Sequence, residues 1–430
     1  MAFPEGFMIG AATAAHQVEG NNIHSDYWAQ EQMPHSSFTE RSGDACDHYD
    51  RYEEDIRLLA EAGLNAYRFS VEWARIEPEE GCFDEKETRH YRDVIRCCRA
   101  NGVEPIVTLM HFTSPVWLIQ KGGWEAETTI GYFRRYAAYV TEQLGSELSY
   151  ICTINEANMG LQLAAISKRY QLMAAQAEQM AAKAKDAEGT VQVGMNFQKM
   201  MENMKYAAAE NAAVFGTPNP QIFVSSRTPE GDALVFRAHQ AAKEAIREIC
   251  PDIRVGITLS MHDLQALPGG EAYVEAAWDE EFRHYLPYIA DDDFLGVQNY
   301  TRTQYGPQGQ MPCPEGAELT QMEYEFYPEA LEHVIRKVHE DFRGDLIVTE
   351  NGVAVSDDSR RVEFIRRALC GVENCLNDGI PVKGYCYWSL MDNFEWQKGF
   401  SMTFGLIGVD RSTQERKPKE SLHFLGSYAQ

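Results

Sequence analysis

A (β/α)8 barrel is the fold class that this 430-residue chain predicts. Eight short, β-rich apolar runs recur along it, near 7–13, 64–70, 104–110, 149–155, 253–259, 293–298, 345–350 and 382–388. The segments between them carry amphipathic helical patterns. Several runs also end in polar or charged side chains, as barrel strands do when their C-termini share one face. An open doubly wound sheet fits less well, because Gly6, Gly10 and Gly20 do not make a GxGxxG turn and no GxxxxGK[ST] occurs. No Pro/Ser-rich linker divides the chain, so residues 1–430 read as a single domain.

The connections follow elementary rules. Between the first two strands, Ile56, Leu59 and Ala60 share one helical face, and Gly63 is a stop signal. Pro328 opens a later helix through Phe342, with Leu331, Val334, Ile335 and Val338 at helical spacing. Two stretches are enlarged. Residues 159–230, after strand 4, hold seven of the 16 methionines, at 159, 173, 180, 195, 200, 201 and 204. Within it, 172–187 is Ala-rich and favours helix. Methionines there are expected to fill irregular core gaps, the alternative being an adaptable wall around a variable ligand group. Residues 301–327, rich in Gly and Pro, read as a long loop on the active face.

Composition excludes several partners. Lys and Arg total 39 against 65 Asp and Glu, a net charge of −26, which repels phosphate backbones and anionic lipid. Nucleic acid and membrane partners are therefore not expected. The ten cysteines show no CxxC spacing, and Cys152 and Cys386 lie in apolar runs, as in a reduced protein. The N-terminus lacks a basic region and a long apolar stretch, and no 18-residue apolar run occurs, so a cytoplasmic, soluble protein is predicted. His262-Asp263 and His48 have no ligand-spaced partners, so neither a metal nor another cofactor is expected.

The chemistry sits at the strand ends. Glu156 closes the run from Tyr150, and Glu350 closes the run from Leu346, just before Asn351-Gly352. Carboxylates closing buried strands carry a desolvation penalty that calls for compensation. Two of them facing one pocket are what glycoside hydrolysis requires, with inversion or with retention. The other strand ends supply Gln17, Arg68, Glu72, His111, Asn155, Asn299, Tyr300, Trp388, Asp392, Glu395 and Trp396. Amide, imidazole and carboxylate groups suit sugar hydroxyls, and indoles suit the apolar face of a pyranose. Taken singly, His111 and Trp388 read as structural, Arg68 as an ordinary ion-pair partner, and Glu72 and Asp392 as groups bonding loop backbone.

Longer stretches carry a resemblance. Ala11-Ala12-Thr13-Ala14-Ala15-His16-Gln17-Val18-Glu19-Gly20, Tyr67-Arg68-Phe69-Ser70-Val71-Glu72-Trp73, Thr349-Glu350-Asn351-Gly352, the run from Trp388 to Trp396, and Phe404-Gly405-Leu406 closely resemble family 1 glycoside hydrolases, the β-glucosidase family. That resemblance implies the (β/α)8 barrel and a retaining mechanism, with Glu350 as nucleophile and Glu156 as acid/base, their carboxyls about 5–5.5 Å apart. It implies that Arg68 and Tyr300 orient Glu350 and lower its pKa, and that Asn155 binds the 2-hydroxyl. Gln17, His111, Glu395 and Trp396 match positions binding other hydroxyls, and Trp388 the platform under the ring.

Some residues depart from the family pattern. Ala157 stands where Pro usually follows the acid/base, Phe112-Thr113-Ser114-Pro115 replaces Trp-Asp-Leu-Pro, and Gln298-Asn299-Tyr300 aligns with Asn-Tyr-Tyr, which takes Asn299 out of the ligand pattern. The activity implied is an exo-acting β-glucosidase with tolerance for β-galactosides or β-fucosides. Two rivals remain. A 6-phospho-β-glycosidase would have its phosphate repelled by Glu395, with Lys398 alone as support. A silent sugar-binding relative would lack one of the two glutamates, and both are present.

Overall fold

The structure, a computed structural model, describes residues 3–165 and 192–429. Eight parallel strands close into a barrel: Met8–Ala12 (β1), Ala66–Ser70 (β2), Glu104–Met110 (β3), Tyr150–Ile154 (β4), Arg254–Ser260 (β5), Phe294–Gln298 (β6), Asp345–Asn351 (β7) and Val382–Trp388 (β8). Around the barrel they run β1-β8-β7-β6-β5-β4-β3-β2. The seam pairs Met8 with Gly384 through to Ala12 with Trp388. Each strand lies within two residues of the run that predicted it. The reason is burial on both faces: Ile106, Val107, Val255, Ile257, Ile347 and Val348 are fully enclosed, so the apolar runs are continuous rather than alternating. With helices in the connections, this is the (β/α)8 architecture.

Helix boundaries follow capping chemistry. In Glu85–Ala100, the Asp84 carboxylate accepts from the Lys86 and Glu87 amides at 2.7 and 3.3 Å. Pro229–Ile249 opens on a Thr228 cap with proline in its first turn. The helix His48–Glu61 starts earlier than its apolar periodicity suggests, because His48 is buried against Asp55 at 2.7 Å. Two polar residues thus occupy core positions that a hydrophobic pattern does not mark. Ala330–Asp341 falls inside the helix expected from Pro328.

Two expectations need correction. Residues 301–327 are not simply a loop: Arg302–Gly306 pairs in parallel with Asp263–Ala266 and antiparallel with Gly309–Gln310, making a small sheet. Its main-chain pairing is indifferent to the Gly and Pro content that suggested a loop. Met159 and Met195 are buried, but Met200, Met201 and Met204 stand exposed on the helix Phe197–Phe215, of which only Phe215 is buried. These three do not fill core gaps, since that helix lays no apolar stripe on the barrel. Met173, Met180 and the Ala-rich stretch 172–187 lie outside the described residues. All ten cysteines are free thiols. Among the described residues, no helix is long and apolar enough to cross a membrane.

Candidate active site

Glu350 lies in β7 where the register against β6 shifts between Val348 and Glu350, a local irregularity of the kind that re-aims a side chain. Its carboxylate is fully engaged: Arg68 of β2 donates to Oε1 at 2.6 Å and the Tyr300 hydroxyl to Oε2 at 2.6 Å. The second guanidinium amino group of Arg68 donates to Asn155 Oδ1 at 2.6 Å, and its Nε to the Thr108 hydroxyl at 3.1 Å. Arg68 therefore couples the ends of β2, β3, β4 and β7. Two residues beyond Glu350, a Cβ on Gly352 would lie 1.9 Å from the Trp388 carbonyl oxygen, so only glycine lets the chain pass beside β8.

Glu156 stands just past the end of β4 with φ 42°, a left-handed conformation uncommon outside glycine. Thr258 of β5 holds this turn. Its carbonyl accepts from Ala157 N at 3.1 Å, while its hydroxyl accepts from Glu156 N at 2.9 Å and donates to Asn155 Oδ1 at 3.2 Å. Gln298, the last residue of β6, donates from its amide to Glu156 Oε1 at 3.2 Å. Glu156 Oε2 is buried without a hydrogen-bond partner among the described residues.

The remaining sequence-predicted residues converge here. Asn155 Nδ2 donates to His111 Nε2 at 3.1 Å, and the His111 ring lies 5.6 Å from Trp388, nearly parallel to it. Burial, with Arg68 nearby, holds the His111 pKa well below its ordinary value, so the imidazole is neutral. Because Nε2 accepts, the proton resides on Nδ1, which has no partner. Gln17 Nε2 donates to the Phe394 carbonyl at 2.8 Å and approaches Glu395 Oε2 at 3.4 Å, leaving Gln17 Oε1 unpartnered. Trp396 is buried and stacks parallel to His16 at 6.0 Å. Glu156, Glu350, Glu395, His111, Tyr300, Trp388 and Trp396 line one cavity, with Arg68, Asn155 and Gln17 one hydrogen bond behind. Unpartnered buried polar atoms are rare in folded proteins, and three of them belong to this group.

Other residues lie elsewhere. Asn299 donates to the carbonyls of Met261 and Thr301 at 2.8 and 2.9 Å, bracing a loop. Glu72 caps the helix Trp73–Ile76 and accepts from Thr113, and Asp392 accepts from Gly405 N and Lys419. His48 pairs with Asp55 and His262 with Glu281; among the described residues no group of three His, Cys, Asp or Glu could hold a metal.

The structure adds residues that sequence reasoning missed. Gln192 and Val193 also line the cavity. Gln192 Oε1 accepts from Tyr300 N at 2.7 Å, its amide donates to Ser260 Oγ at 3.0 Å, and Gly194 N donates to Glu395 Oε1 at 3.1 Å. A Cβ on Gly194 would lie 2.5 Å from the Glu395 carbonyl oxygen. With this segment seated, the free volume is about 20 Å³, room for one water. Nothing in the segment's composition announces that contact. Gln298, in contrast, ends a strand and could have been found by the reasoning that found Glu350.

Three carboxyls share the cavity, and burial pushes all three upward. Glu156 lies well above its ordinary value, because burial and the Glu350 charge both oppose its ionisation, with Arg68 the main opposing influence. Glu350 is also raised. Arg68 and Tyr300 both pull it down, the direction the resemblance implies for them, but complete burial outweighs them. Between the two, Glu350 carries the charge, since the cation and the phenol bond to its oxygens and not to those of Glu156. Glu395 is pushed up to about 8 by burial, against the Gly194 N–H.

Two stability effects follow. Arg68→Met would leave Glu350 buried without its cation, and is expected to destabilise the fold by ~3–5 kcal/mol, read by urea melts at neutral pH. Glu395 has a folded pKa above its unfolded one, so its contribution is most favourable below about pH 4.5 and is lost as pH rises to about 8. Glu395→Gln should therefore raise the melting temperature at pH 9 and have little effect near pH 5. An equal gain at both values would contradict the assignment.

The chain is similar to known proteins in both sequence and fold. The Glycosyl hydrolase family 1 model matches residues 1–184 and 314–430, leaving 185–313, which include β5 and β6, outside it. A beta-glucosidase of Agrobacterium sp. is 29% identical over 97% of this chain and 93% of its own length. A 6-phospho-beta-galactosidase of Lacticaseibacillus casei is 27% identical over 99% and 98%. Among solved structures, beta-glycosidase BGL167 is 44% identical with a TM-score of 0.86, covering 99% of this chain and 97% of that one. The beta-glucosidase of Thermotoga maritima in complex with glucoimidazole is 25% identical with a TM-score of 0.79, covering 99% and 98%. A match over more than half of the chain, on a barrel whose strand ends gather these side chains, identifies the protein as a glycoside hydrolase enzyme of family 1.

Proposed function

We propose that the whole chain, as one catalytic domain, is a retaining exo-β-glycosidase acting on β-glucosides, with tolerance for β-galactosides or β-fucosides. The observation that carries this reading is the unequal treatment of the two glutamates. Glu350 has a cation and a phenol on its oxygens, whereas Glu156 keeps one oxygen unpartnered in the cavity. Glu350 attacks the anomeric carbon while Glu156 delivers its proton to the glycosidic oxygen, and the aglycone leaves as an alcohol. Glu156, now ionised, takes a proton from water; the water oxygen attacks the anomeric carbon and frees Glu350, with net retention. Asn155 serves the 2-hydroxyl, a contact that strengthens in the oxocarbenium-like transition state. Gln17, His111, Glu395 and Trp396 serve the other hydroxyls over the Trp388 platform.

The 6-phosphosugar reading draws on the Lacticaseibacillus relative and on Lys398. Its original objection weakens, because Glu395 at about 8 is largely neutral at pH 7 and repels little. A second objection stands beside it: among the described residues no lysine or arginine lines the cavity, so none of them would balance a buried phosphate dianion. Plain and 6-phosphorylated nitrophenyl β-glycosides assayed side by side, with 2-deoxy-2-fluoroglucoside labelling, test the proposal. Turnover of the plain glucoside and labelling of the Glu350 peptide are expected. Preference for the phosphorylated substrate, label on another peptide, or no turnover of any β-glycoside by folded protein would each overturn it.

A further inference from the structure

We propose that Gln298 is a positioning residue that fixes which oxygen of Glu156 carries the catalytic proton. The inference rests on Glu156 being the acid/base. In the strand pairing Gln298 of β6 sits opposite Glu350 of β7, so its side chain lies between the two carboxyls. Its Nε2 is 3.2 Å from Glu156 Oε1. The same amide lies near enough to Glu350 to help draw its pKa down. An ionised carboxylate can only accept, so the two N–H groups of the amide face the carboxyl pair. The carbonyl end is occupied as well: the Thr349 hydroxyl, from β7, donates to Gln298 Oε1 at 3.3 Å.

The consequence is a choice between two oxygens. Glu156 Oε1 receives an N–H and therefore acts as the carbonyl-type oxygen of the neutral carboxyl. The proton is left to Oε2, the buried oxygen without a direct partner among the described residues, with the Ser260 hydroxyl nearby. Without Gln298 the proton distributes over both oxygens, and the form with the proton on Oε1 is unproductive. The same N–H favours the ionised form of Glu156, which is the form that deprotonates water in the second half of the reaction. Asparagine, the residue of the family pattern at this position, is one methylene shorter. The longer side chain here spans from the Thr349 hydroxyl to Glu156.

Leaving-group dependence tests this, because a 2,4-dinitrophenolate departs without protonation and an alkoxide does not. Gln298→Met keeps the length and removes the donor. It is expected to lower kcat/KM roughly 10- to 100-fold on an alkyl β-glucoside and by less than about 3-fold on the dinitrophenyl glucoside. The alkaline limb of the pH profile should move upward, since loss of the N–H disfavours ionised Glu156. Equal losses on both substrates with an unmoved alkaline limb would make Gln298 merely structural and overturn the proposal. Glu156→Gln, assayed in parallel, separates the two levels. If that variant shows no leaving-group dependence, the acid/base assignment itself fails; if it does while Gln298→Met does not, only the positioning role fails. Should Gln298→Met not fold, Gln298→Leu, which also removes the donor, carries the same comparison.

Discussion

Glu350→Gly is expected to lower turnover of a nitrophenyl β-glucoside by roughly 10⁴- to 10⁶-fold, the size of loss seen when a covalent nucleophile is removed. The deletion leaves the buried Arg68 guanidinium without its anion, at a cost of ~3–5 kcal/mol, so a urea melt run in parallel restricts the comparison to folded protein. Azide should restore part of the rate by entering the vacated space. A single displacement from that face inverts the anomeric centre, so the product should be the α-glycosyl azide. Chromatography against authentic anomers checks it. A β-azide would mean that Glu350 is not the nucleophile.

Glu156→Ala should behave differently in kind. General acid catalysis contributes roughly 10²- to 10⁴-fold, so alkyl glucosides should lose about that much while a dinitrophenyl glucoside forms the glycosyl-enzyme almost normally. Azide should here intercept the covalent intermediate and give the β-glycosyl azide. The pH profile carries the second signature. On the proposed mechanism Glu350 must be ionised and Glu156 protonated, so kcat/KM should rise as pH passes the first ionisation of the pair and fall as it passes the second. Both limbs lie above the ordinary carboxylate range, because burial raises both groups. Removing Glu156 should erase the alkaline limb and keep an acid limb set by Glu350. An alkaline limb that persists in Glu156→Ala would assign the proton donor to another group.

Much of this site was legible because barrel strands are buried on both faces. An apolar run that ends in Asn155-Glu156 or Thr349-Glu350 marks where the chain leaves the core, and strand C-termini share one face. Arg68 was legible only through the family resemblance, since a cation beside a strand reads on its own as an ordinary ion-pair partner. What was not legible depends on geometry without a sequence period. The left-handed turn at Glu156 is held by Thr258, which lies one strand over and 102 residues away. The Gly194 contact with Glu395 spans 201 residues and uses a backbone N–H, which every residue but proline possesses. The upward shift of Glu350 was missed because partners can be guessed from residue types, whereas the depth of burial opposing them cannot. The exposed Met200, Met201 and Met204 misled in the opposite way: methionine's usual place in cores says nothing about a helix that stands away from one.

The pairing of Arg68 with Glu350 joins residues 282 apart, and β1 meets β8 only after the chain has run nearly its whole length. During synthesis, then, more than 300 residues emerge, including Arg68, Asn155 and Glu156, before the carboxylate that completes the ion pair exists. Arg68 spends that interval without the charge that justifies its burial, and the Ala12–Trp388 seam cannot form until later still. Contacts of such long range are slow to form and leave partly built sheets with open edges. A ribosome-bound nascent chain would carry Glu156 yet remain inert toward glycosides until β7 and β8 arrive. Catalytic competence and completion of the fold are thereby the same late event.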